Sequence, residues 1–191
     1  GTLSTIVTLP LLGAVDFGWI FYVLSFLLII GMVNAVNLTD GIDGLASSVT
    51  FVVMMGFMFI ASLLGNTTMA LFAAAVAGGC AGFLAWNFYP AKTFMGDTGS
   101  MFLGGAVVAV AYGIGRPELL LFMGVIYLIE AFSVMLQVTY FKLTHGKRIF
   151  KMSPIHHHFE MCGWSEVKIV SVFSFITLVG VVLGGIFVYV S

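Results

Sequence analysis

The acidic, amide and imidazole side chains that could do chemistry in this chain cluster in three short islands. These are Asn37-Leu38-Thr39-Asp40-Gly41-Ile42-Asp43-Gly44, Phe94-Met95-Gly96-Asp97-Thr98-Gly99-Ser100 and Ser153-Pro154-Ile155-His156-His157-His158-Phe159-Glu160. Long apolar runs separate them. Carboxylates and histidines beside a bilayer are costly and are seldom there only for packing. Asp40 and Asp43 are three residues apart, which sets both on one face if a helix begins there, with Asn37 one turn earlier. Gly41 and Gly44 permit close backbone approach. Asp is also a favoured N-cap, yet one cap needs one carboxylate, and this group supplies two together with an Asn.

Asp97 reads as lying just ahead of a helix, followed by Thr98, Gly99 and Ser100, any of which could cap it. A glycine-flanked aspartate at a helix N-terminus can also hold a hard cation and a phosphate together, the metal through oxygen and the anion through backbone amides. Magnesium takes one or two protein carboxylates and completes its shell with water and phosphate. Asp97 is therefore the first choice of Mg2+ ligand. The run His156-His157-His158 is internal, and adjacent histidines diverge along a helix or a strand, which argues against a compact three-His zinc site. With Lys147, Arg148 and Lys151 nearby, the run suits the lining of an anionic phosphate or pyrophosphate site. A basic loop attracted to lipid headgroups is the alternative. Glu130 is the one charge deep in an apolar span, with no cationic partner offered by the other spans. Gln137 lies two turns later on roughly the same face, nearer the span's end, where it could reach a ligand.

Elements of a membrane protein must position these groups. The chain has 191 residues, 61% hydrophobic and 8% charged, with a mean hydropathy of +1.15, whereas about a quarter of a soluble domain is charged. The composition specifies an all-α, polytopic integral membrane protein. The net charge of −1 carries no basic patch for nucleic acid. Cys80 falls in an apolar span and Cys162 in a polar loop, so both read as free thiols. No cleavable signal peptide is expected, because Gly1 to Pro10 lacks a basic first segment and a small-residue cleavage pattern.

Six stretches approach the roughly 20 apolar residues that a helix needs to cross a bilayer: 20 to 36, 44 to 64, 68 to 88, 100 to 114, 118 to 140 and 167 to 190. Six crossings put the loops after the first, third and fifth on one side, and those loops are the three islands. Six of the seven Lys and Arg residues fall on that side and only Arg116 on the other, so the positive-inside bias turns the islands to the cytoplasm. Residues 1–19, with Pro10, glycines and Asp16, form an external or interfacial lead-in, and 141–166 form a cytoplasmic loop that carries the His motif. Ala73 to Ala75, Gly78-Gly79, Gly82 and Gly104-Gly105 suit close helix packing. A carrier or channel would need polar residues continuing to the opposite face, and the loops there supply almost none.

In order and on a common side, the three islands resemble the signature loops of the bacterial phospho-N-acetylmuramoyl-pentapeptide transferases. The wider superfamily of polyprenyl-phosphate N-acetylhexosamine-1-phosphate transferases shares versions of the aspartate loops, whereas Pro154-Ile155-His156-His157-His158-Phe159-Glu160 looks like the muramoyl-pentapeptide branch. The resemblance runs over residues 1–191 as one transmembrane domain, the C-terminal six of the family's ten transmembrane helices. The family's adjacent Asp-Asp pair and a nucleotide-holding lysine belong to the N-terminal part. No Asp-Asp occurs in this sequence, so the stretch is expected to be inactive alone.

The resemblance implies a magnesium-dependent transfer of phospho-MurNAc-pentapeptide from UDP-MurNAc-pentapeptide to undecaprenyl phosphate, releasing UMP, for peptidoglycan synthesis at the bacterial inner membrane. A sister transferase using another UDP-sugar is the nearest alternative. By the same resemblance Asn37, Asp40 and Asp43 help form the nucleotide-side pocket, Phe94 stacks on uracil, Asn87 and Gln137 line the cleft, Asp97 binds magnesium, and His156 and His157 contact sugar or phosphate. Asp40, Asp43, Asp97 and His156 are the catalytic candidates. The resemblance also implies a homodimer.

Overall fold

In lipid a backbone must satisfy its own hydrogen bonds, so long apolar runs wind into helices. The computed structural model describes residues 5–9 and 13–190. In chain order it has β1 (Ile6–Leu9), β2 (Gly13–Asp16), α1 (Ile20–Thr39), α2 (Leu45–Leu63), α3 (Thr67–Asn87), α4 (Gly96–Gly113), α5 (Leu119–Met123), α6 (Val125–Leu143), α7 (Ile155–Met161) and α8 (Glu166–Val190). The protein is an all-α, multi-pass membrane protein. Among the described residues α1, α2, α3, α6 and α8 are long and apolar enough to cross a membrane.

The crossing expected at 100–114 falls on α4, which does not join those five. Its first turn takes in Gly96, Asp97, Thr98 and Gly99, and that polar start dilutes an 18-residue helix. It still packs against α1, α2 and α3. The stretch expected at 118–140 is broken at Gly124 into α5 and α6. In the lead-in β1 and β2 pair antiparallel, Ile6 opposite Asp16 and Leu9 opposite Gly13. Residues 1–4 and 10–12, Pro10 among them, lie outside the described residues.

α2 is the hub. Leu45, Val49, Val53, Met54 and Phe57 are fully buried along it, and it packs against α3 on one side and α8 on another. Phe26 and Leu27 on α1, Leu136 on α6 and Phe175 and Leu183 on α8 are exposed, as lipid-facing positions should be. Close packing through small residues holds at Gly104, where an added Cβ would stand 2.8 Å from Val33 Cα, so α4 lies tight on α1. It does not hold at Gly78, Gly79, Gly82 or Gly105, where a Cβ would meet nothing within 4 Å. Cys80 is buried and Cys162 exposed, both as free thiols.

Candidate active site

The first island follows α1, whose last turn carries Asn37 and whose C-cap is Asp40. Asp40 N–H donates to Asn37 O at 3.1 Å. Helix α2 then starts from Gly44 at φ 75°, a left-handed conformation that glycine adopts without strain, and no side chain caps it. The two aspartates therefore do not share a helical face, because the helix ends before them and restarts after them. Neither caps α2. Asp43 Oδ2 instead accepts from Ala91 N–H at 2.8 Å, and Asp43 N–H donates to Glu166 Oε2 at 2.9 Å. This one residue ties the first island to the second island's approach and to the start of α8.

Tight packing of α4 on α1 brings the second island beside the first. Asn37 Nδ2 donates to Asp97 Oδ1 at 3.1 Å and to Ser100 Oγ at 2.9 Å. Asp97 sits in the first turn of α4 and not ahead of it; the N-cap is Met95, with no side-chain cap bond. A carboxylate there still faces the positive end of the helix dipole. Burial, and then the neighbouring charge of Asp97, push the Asp40 carboxyl above its ordinary value of 3.8. Two neighbouring carboxylates suit a shared cation, and Asp97 is exposed to receive one. Among the described residues no three His, Cys, Asp or Glu side chains gather as a metal-binding group. Magnesium, which asks for one or two carboxylates, fits this donor set.

Asn87 is buried at the end of α3. Its Oδ1 accepts from Ser47 Oγ at 3.1 Å and its Nδ2 donates to the Thr93 carbonyl at 2.9 Å. It therefore braces the loop that presents Phe94, whose ring is 74% exposed and open to stacking. Gln137 is also spent on a loop. Its Oε1 accepts from Ile149 N–H at 3.1 Å and Phe150 N–H at 3.0 Å, and its Nε2 donates to the Phe150 carbonyl at 3.3 Å. Gln137 thus anchors the approach to the third island. It also lines, with Phe141, Lys142 and Arg148, a cavity of about 380 Å³.

The third island winds into α7, and its three histidines part company as adjacent helical residues must. His156 is fully buried, with Nδ1 at 3.0 Å from Glu130 Oε2. Its other edge faces the first island: a Cβ on Gly41 would run into His156 Nε2. Glu130 thus does have a partner, from a loop and not from another span. His157 is partly exposed and pairs with Glu160. His158 Nδ1 accepts from Lys151 N–H at 3.1 Å, which folds the loop on itself. Lys151 Nζ donates to the Met161 carbonyl at 2.9 Å, so this basic side chain is committed to the same loop.

Contacts therefore gather all three islands at one end of the bundle: Asn37 with Asp97, Asp43 with Ala91, and Gly41 with His156. Asn37, Asp40 and the exposed Asp97 form its polar centre over the buried Ser100, while Asp43, Asn87, Gln137 and His156 brace it. Sequence reading missed Glu166, took Ser100 only as a possible cap and gave Glu160 no role of its own. Only Glu166 carried a signal, as an acid in the first turn of the last apolar span.

A family model described as Glycosyl transferase family 4 matches residues 2–115. Similar curated relatives carry the name phospho-N-acetylmuramoyl-pentapeptide-transferase. The one from Acetivibrio thermocellus is 52% identical over 182 residues, 93% of this chain and 55% of the relative. One from Clostridium perfringens is 53% identical over 178 residues, 93% and 56% of the two chains. One from Clostridioides difficile is 53% identical over 166 residues, 86% and 51%. The chain spans about half the length of the curated relatives it matches.

Proposed function

The chain belongs to glycosyl transferase family 4 and to its phospho-N-acetylmuramoyl-pentapeptide-transferases, and from that premise we propose that the complete protein transfers phospho-MurNAc-pentapeptide from UDP-MurNAc-pentapeptide to undecaprenyl phosphate. UMP leaves, and the lipid-linked product enters peptidoglycan synthesis. The observation that carries this reading is the polar centre in which Asn37 bonds both Asp97 and Ser100 while burial, and then the charge of Asp97, raise the carboxyl of Asp40. It lies where a soluble nucleotide and a lipid phosphate can both arrive.

Each residue has a share in that chemistry. Asp97 would hold magnesium, which when bound would neutralise the charge developing on the leaving UMP. Asn37 orients the Asp97 carboxylate through Oδ1. Asp40, half-buried at the turn with its carboxyl raised by burial and by the charge of Asp97, borders the uridine. The exposed Phe94 ring offers a face for uracil, held out by Asn87. His157 reaches sugar or phosphate. His156, Asp43 and Gln137 act on the substrate through the backbone they brace. Lys142 and Arg148, in an apolar-sided cavity at the end of α6, suit the phosphate of a lipid acceptor.

The islands face the cytoplasm of the bacterial inner membrane, and the complete protein is a homodimer. Cysteines at Thr93 and Thr144 react with an impermeant thiol reagent only from the cytoplasmic side, and one at Thr67 only from outside; opposite labelling of positions 93 and 144 contradicts the common face. Cross-linking in membranes tests the dimer. For the activity, purified complete protein releases UMP from UDP-MurNAc-pentapeptide only with magnesium and a polyprenyl phosphate. Turnover of UDP-N-acetylglucosamine in place of the muramoyl donor moves the protein to the sister branch.

A further inference from the structure

Glu130 has no part in the chemistry above, yet it is a fully buried carboxylate in α6. Its Oε2 lies 3.0 Å from His156 Nδ1, but the geometry falls short of a hydrogen bond. Among the described residues Glu130 Oε1 and Oε2 and His156 Nδ1 and Nε2 all lack a hydrogen-bond partner. An apolar pair of similar volume would anchor α7 at least as well, because buried polar groups in such geometry are a poor source of stability. The arrangement calls for a use other than packing.

The imidazole is held between two segments remote from it in sequence and its own neighbour on α7. Glu130 meets one edge from the membrane span, Gly41 meets the opposite edge from the turn beside Asp40, and the His157 ring lies with its centroid 4.1 Å away on α7. We infer that Glu130 is a positioning residue: through His156 Nδ1 it fixes the orientation of a buried imidazole that keeps the Asp40-Gly41 turn in register with His157. Its catalytic consequence rests on the transferase reading, whereas the pairing itself does not. Orientation of one ring nitrogen by a carboxylate on the other is a recurrent device where histidine orientation matters.

The test uses the complete protein with E130L, E130Q, E130D, H156A and the E130L/H156A double variant. Positioning predicts that E130L and E130Q lower kcat by about 10- to 100-fold, with the donor KM and the unfolding temperature close to those of the parent. E130D, which keeps a carboxylate, recovers part of kcat. Adding E130L to H156A lowers kcat no further, since the two act as a unit. Unchanged kcat in both E130L and E130Q, or single losses that multiply in the double variant, overturns the inference. If E130L does not fold, E130Q, which keeps the side-chain shape, decides. A second readout is independent of activity: the His156 ring 15N resonances, identified by their absence in H156A, shift in E130L and E130Q. Should the complete protein transfer nothing from the muramoyl donor, the functional reading falls, and these resonances still decide the pairing. Unshifted resonances overturn it.

Discussion

Asn37 donates one amide nitrogen to both Asp97 Oδ1, at 3.1 Å, and Ser100 Oγ, at 2.9 Å, and so couples the end of α1 to the start of α4 across the candidate site. The amide is neutral, so it orients the carboxylate without cancelling its charge. Asp97 stays available to a cation.

Asn37→Ala therefore leaves Asp97 in place but free to turn. The complete protein is expected to lose about 10- to 100-fold in apparent magnesium affinity, the usual cost of removing a partner that orients a metal ligand. The stability loss should stay at about 1–2 kcal/mol, as for the two hydrogen bonds of this amide. A magnesium titration of transfer, read beside thermal unfolding, separates the two. Loss of stability with an unchanged magnesium midpoint refutes the orienting role.

Asp40 supplies a pH prediction. Its carboxyl is raised first by burial and then by the charge of Asp97. The folded state binds this proton more tightly than the unfolded chain, so the stability it contributes is fully present below the ordinary value of 3.8 and is lost as pH rises through the raised folded value. In magnesium-free protein, Asp97→Asn removes the second cause and leaves the first. The Asp40 titration, followed by its 13C carboxyl resonance, should move down toward 3.8 without reaching it. No movement would show that the two carboxylates do not sense one another.

Gly41→Ala puts a methyl group against His156 Nε2. Because the ring is buried and held by Glu130 on its other side, it has little room to give. Overpacking of this kind costs about 1–3 kcal/mol, and transfer should fall with it. Gly82→Ala is the control: nothing lies within 4 Å of an added Cβ there, so its unfolding temperature should match the parent. Equal behaviour of the two variants contradicts the close contact between the first and third islands.

The membrane class and the joining of the islands at one end were legible in the sequence, since apolar span length and the order of the loops determine them. What the side chains bond to was not. Asp97 looked like a residue ahead of a helix because the apolar run begins only at residue 100, but α4 starts at Gly96 and takes Asp97 into its first turn. Gln137 looked free to meet a ligand, yet its amide is filled by the backbone of residues 149 and 150. Glu130 looked unpaired because its partner comes from the short helix α7 and not from another span. In each case the deciding contact is long-range, and local pattern carries no record of it.

The central claim is that Asp97 does metal chemistry in a transferase and does not merely begin a helix. Transfer by the complete Asp97→Asn protein, measured with UDP-MurNAc-pentapeptide, a polyprenyl phosphate and saturating magnesium, tests it most directly. Loss of a charge-stabilising metal contact predicts a fall in kcat of roughly 100- to 1,000-fold or more, with the unfolding temperature little changed. A well-folded Asp97→Asn protein that turns over at near the parent rate contradicts it.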